Sequence, residues 1–108
     1  MKKIPLIIQE ATQERILAHL RNQKLPMHYK FDIHFKAQFC YVDAYEDGED
    51  GETILTHLCR LTYLGDIEQW SLAFYTYSGE KYQICIFPSG KWQGTPEEAL
   101  EVGLIYLV

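Results

Sequence analysis

Basic residues are scarce after Lys36: only Arg60, Lys81 and Lys91 follow, against twelve acids. Residues 37–108 therefore carry a net charge of −9, whereas residues 1–36, with seven bases and three acids, carry +4. A negative body repels phosphate backbones, which argues against nucleic acid as a partner. The basic first third is expected to face acids of the same fold. Long apolar runs are missing too. Nothing approaches the roughly 18 residues of a membrane-spanning helix, so no membrane role is expected. The run IPLII ends at Gln9 and Glu10, too short for the apolar core of a signal peptide. Cysteine is limited to Cys40, Cys59 and Cys85, an odd number without a C-x-x-C pair. Free, buried thiols and a cytoplasmic location are the expectation.

Familiar catalytic signatures are also missing. The sequence contains no G-x-S-x-G, P-loop, dinucleotide-binding glycine motif or H-E-x-x-H. No catalytic residue, cofactor or metal is assigned, and the chain reads as non-enzymatic. What is present is a globular composition: 47% hydrophobic and 14% aromatic residues, including eight tyrosines, within 108 residues. That is enough for one domain with a single core.

The pattern predicts an α+β fold: a helix near 12–22, four or five antiparallel strands in a meander, and a helix near 95–107. In the first helix Thr12 is the expected N-cap, Ile16, Leu17 and Leu20 share a face, and Pro26 follows the end. In YKFDIHF, Tyr29, Phe31, Ile33 and Phe35 alternate with polar residues, as in a half-buried strand. Runs 38–45, 53–64, 70–77 and 81–87 are further strands. The last two are joined by Ser-Gly-Glu, and Pro88-Ser89-Gly90 then forms a turn. GTPEEALEVGLIYL opens with Thr95 at the N-cap, Pro96 at N1 and Glu98 at N3, a capping box.

EDGEDGE, Glu46 to Glu52, packs five carboxylates into seven residues. Calcium loops need an oxygen ligand where Tyr45 falls and a bidentate Glu where Ile54 falls. The stretch is expected to close a hairpin, with Asp47-Gly48 and Asp50-Gly51 supplying positive φ angles. His57 and Cys59, two apart on one strand, should share a face. Zinc needs more ligands than this pair supplies, and a nucleophilic Cys needs an electropositive setting. A core cysteine beside a hydrogen-bonded histidine is the expectation.

The sheet reads as apolar on both faces. Leu55, His57, Cys59, Leu61 and Tyr63 form the expected core face of their strand, and Cys40, Val42 and Ala44 are small enough to lie under helices. The opposite face offers Phe39, Tyr41 and Tyr45, with Ile54, Leu58 and Leu64 around Arg60. Strand 70–77 adds either Tyr75 and Tyr77 or Trp70, Leu72 and Phe74, depending on register. Tyrosine and arginine suit protein interfaces because they bury area while keeping polar tips. RNA stacking is disfavoured, because no RNP1-like pattern occurs. The C-terminal helix, with Ala99, Leu100, Val102, Leu104, Ile105 and Leu107, is apolar nearly all round.

The segments WSLAFYTYS (70–78), FPSG (87–90) and GTPEEA (94–99) resemble those of small uncharacterised bacterial proteins that end in such a helix, a resemblance that implies no activity. The favoured reading is an interaction module that forms a homo-oligomer or binds a protein partner, using Tyr41, Asp43, Tyr45, Arg60, Tyr75 and Tyr77. The alternative is a small-molecule binder or enzyme in which a curved sheet encloses a pocket, with Asp43 and Arg60 as polar anchors.

Overall fold

A computed structural model describes residues 3–22 and 29–104. Helix α1 (Leu6–Arg21) is followed by β1 (Lys30–Lys36), β2 (Phe39–Asp47), β3 (Thr53–Asp66), β4 (Gln69–Thr76), β5 (Lys81–Cys85) and α2 (Pro96–Gly103). The strands form one antiparallel sheet in the order β1-β2-β3-β4-β5. Each joins its predecessor by a short connection, so the α+β meander is as the alternation implies.

The first helix begins earlier than its apolar spacing suggests. Pro5 stands at the N-cap, and its carbonyl accepts from the N–H groups of Ile8 and Gln9, both at 3.0 Å. Thr12 is therefore not a cap. It lies inside the helix, fully buried, and its hydroxyl has no hydrogen-bond partner among the described residues. Apolar periodicity missed the first turn because Leu6 and Ile7 are exposed, at 68% and 74%. Pro26 lies outside the described residues, as do Ile105 and Leu107.

At α2 the local signal is expressed in full. Thr95 Oγ1 accepts from Glu98 N at 3.2 Å, and Glu98 Oε1 accepts from Thr95 N at 3.1 Å. The two helices are tied together by charge. Arg15 donates to both oxygens of Glu97 and pairs with Glu68, while His19 Nε2 meets Glu101 Oε1 at 2.8 Å. These bonds match part of the basic first third to acids later in the chain.

Hairpin geometry sets the register. Ala37 at φ 54° makes the tight β1–β2 turn. EDGEDGE closes the β2–β3 hairpin, with Gly48 N donating to Glu52 O at 2.6 Å. Of its two glycines, only Gly51 takes a positive φ, 77°. The turn after β5 has Gly90 N donating to Phe87 O at 2.9 Å, as a proline-led turn requires.

The register of β2 against β3 shifts once. Val42 pairs with Cys59, but Asp43 pairs with His57, leaving Leu58 as an extra residue in β3. This is a β-bulge, and it places Leu58 and Cys59 both in the core, each fully buried. The α2 helix reaches this point at Gly103, where a Cβ would lie 3.3 Å from the Leu58 carbonyl oxygen. One pleat of the sheet, including Cys40, Val42, Leu61, Trp70 and Leu72, packs with Ile16, Leu20, Ala99, Leu100 and Leu104 of the helix layer. Each large side chain removed from water there contributes about 1.5–3 kcal/mol. Among the described residues, no helix is long and apolar enough to cross a membrane.

Candidate functional site

The bulge divides β3 between two faces. C-terminal to it, Cys59, Leu61 and Tyr63 point to the helices; N-terminal to it, Leu55 and His57 point the other way, paired with Tyr45 and Asp43. The expected single face from Leu55 to Tyr63 is thus broken, and so is the His57–Cys59 pair. Leu58 belongs to the core, not to a ring around Arg60. A period of two holds only while no residue is inserted.

The other face, which no helix covers among the described residues, gathers the residues that the sequence singled out. On β2, Tyr41, Asp43 and Tyr45 alternate outward, opposite Arg60, His57 and Leu55 of β3. Ala73 of β4 is Arg60's other neighbour and Tyr75 pairs with Tyr82 of β5, so β4 contributes Tyr75 to this face and sends Trp70, Leu72 and Phe74 to the core. Tyr77 follows the end of β4, and its hydroxyl accepts from His57 N at 3.3 Å. All six expected residues therefore converge on one side.

Three further residues join them that the sequence did not assign to this face. Tyr82 sits edge-on to both Tyr41 and Tyr75, with ring centroids 5.6 and 5.2 Å apart. His34 stacks on Tyr41 at 4.9 Å. His57 lies 4.6 Å from the Tyr75 ring. The signal for His34 was its alternation in YKFDIHF; for His57 none exists without the bulge.

Polar anchors sit within this aromatic field. The Arg60 guanidinium lies over the Phe39 ring at 4.4 Å and the Tyr82 ring at 5.0 Å, an arrangement favourable for a cation facing π-electrons. Its Nε is buried without a hydrogen-bond partner among the described residues. Asp43 is only 5% exposed, and its Oδ1 lies 2.9 Å from His57 Nδ1. Burial and the Asp43 charge together push the Tyr82 hydroxyl well above its ordinary range, so it stays protonated and able to donate. Beside this cluster, Thr56, His57, Phe74, Tyr75 and Tyr77 line a cavity of about 340 Å³.

The cysteines are placed for packing. Cys40 and Cys59 are buried, Cys85 is half-buried, and all three are free. Burial first, with the Asp43 charge second, pushes the Cys59 thiol up to about 12, the reverse of what a nucleophile needs. No family model matches this chain, and no curated protein or solved structure matches it either.

Proposed function

We propose that this chain is a small, non-enzymatic interaction module that self-associates through the uncovered aromatic face of its sheet. The observation that carries the reading is one-sided coverage. The core pleat packs with both helices, while Leu55, Tyr77 and Ile84, on or beside the other face, are 41%, 61% and 68% exposed. Half-buried Tyr41, Tyr75 and Tyr82 continue that apolar surface inward. Exposed patches of this kind mark association surfaces. The face also carries both signs of charge, with Lys30, Lys36 and Arg60 beside Asp32 and Asp43. A second copy related by a two-fold axis can therefore meet its own complement. Nucleic acid does not fit, given the net charge of −5. Three unpaired cysteines favour a reducing, cytoplasmic setting.

Light scattering across a wide concentration range tests this. The expected result is a dimer mass at high micromolar concentration that Ile84→Glu returns to monomer, because the glutamates would face each other in the interface. Ile84 is exposed, so the substitution leaves the core alone. A monomer at every concentration refutes the reading.

One observation favours a second reading, a small-molecule site. The cavity beside Tyr75 and Tyr77 has His57, the hydrogen-bond partner of buried Asp43, at its wall, and apolar walls with a few fixed polar groups suit small ligands. A metabolite that raises the melting temperature of a strictly monomeric protein would favour it.

A further inference from the structure

Asp32 and His34 are two apart on β1 and share its outward face, with His34 Nδ1 2.8 Å from Asp32 Oδ2. Across the β1–β2 ladder, Asp32 pairs directly with Asp43, and His34 with Tyr41. One donor atom from each of Asp32, His34 and Asp43 lies within 4.8 Å of the others. Donors around one ion, bound at about 2.0–2.2 Å, sit roughly 3–4 Å apart. Small side-chain rotations therefore bring this set to coordination distance.

A second observation points to a cation. The two carboxylates face each other across neighbouring strands, where like charges destabilise. One of them, Asp43, is 95% withdrawn from water, and a buried carboxylate is costly without compensation. Among the described residues neither Asp32 nor Asp43 pairs with a lysine or arginine; their ion-pair partners are His34 and His57. His57 engages Asp43 Oδ1.

We propose that Asp32, His34 and Asp43 form a binding site for a divalent transition-metal ion, with zinc the best match. One imidazole and two carboxylates make a mixed nitrogen and oxygen set, which suits zinc better than calcium or magnesium. Stacking on Tyr41 orients the His34 ring, and the hydrogen bond from His57 orients the Asp43 carboxylate, as outer partners of metal ligands do. The site stands whether or not the chain self-associates.

The test is calorimetric titration of the full chain with zinc, after EDTA treatment and dialysis into metal-free buffer. One zinc per chain is expected. His34→Ala, at an exposed position that leaves the core intact, should abolish uptake, as should Asp43→Asn. His57→Ala should weaken binding by about 10–100-fold. Neutralising Asp47 and Asp50 in the acidic hairpin should leave binding unchanged. Cobalt(II) should give visible ligand-field bands without an intense near-ultraviolet thiolate band. The proposal is overturned by no saturable uptake, by uptake that survives His34→Ala at unaltered affinity, or by a thiolate band assigning the metal to cysteine.

Discussion

Arg15 grips Glu97 with two hydrogen bonds, Nε to Oε2 at 2.9 Å and Nη2 to Oε1 at 2.8 Å, and so fastens α1 to the first turn of α2. Partial burial pushes the Glu97 carboxyl up, but the Arg15 hydrogen bond, a backbone hydrogen bond and the neighbouring positive charge together outweigh it and hold the group below its ordinary 4.5. A carboxylate whose folded pKa is depressed stabilises the fold above its unfolded pKa, and that contribution is lost as pH falls through the folded value. Urea midpoints should therefore drop below about pH 4.5 by a larger margin in the native sequence than in Glu97→Gln. Both partners are partly solvated, so at neutral pH the substitution should cost under about 1 kcal/mol. Identical pH profiles would show that the pair contributes nothing.

Thr95 caps α2 with reciprocal bonds to Glu98. Replacing Thr95 by Ala removes the acceptor for Glu98 N and should cost about 1 kcal/mol in denaturant unfolding. An unchanged midpoint would mean that the exposed amide is equally well served by water.

Thr12 should respond in the opposite sense. Its hydroxyl is buried in α1 without a partner among the described residues, and a buried unpaired hydroxyl costs about 1–3 kcal/mol. Thr12→Val keeps the branched shape and removes that group, so the melting temperature should rise. A fall would restore a bonding role to the hydroxyl.

Thiol chemistry should separate the cysteines. Cys85 is half-buried, whereas Cys40 and Cys59 are fully buried, with thiols that burial pushes up. In the folded protein a disulfide reagent should titrate one thiol quickly, and in denaturant three. Fast reaction of all three in the folded state would mean that the sheet opens readily under the helices.

The elements themselves were legible in the sequence because their causes are local. Alternation in 29–35 and 70–77 reflects the pleat of a strand, and the Thr95-Pro96-Glu98 cap satisfies the amides of its own helix. Short connections between those strands left little but a meander. The first turn of α1 escaped because its exposed Leu6 and Ile7 carry no amphipathic signal, and Pro5 starts the helix through its carbonyl alone.

The assignment of β3 to its two faces was decided by tertiary packing. The extra residue at Leu58 is accommodated where α2 approaches at Gly103, a contact between segments about 45 residues apart that no local pattern encodes. That insertion turned His57 away from Cys59 and toward Asp43. Likewise, nothing in their own strands pairs Asp32 with Asp43. Only the β1–β2 register, set by the turn at Ala37, brings one carboxylate opposite the other. Local sequence determined which residues would alternate; the long-range contacts determined which of them meet, because facing partners are chosen by register and packing rather than by period.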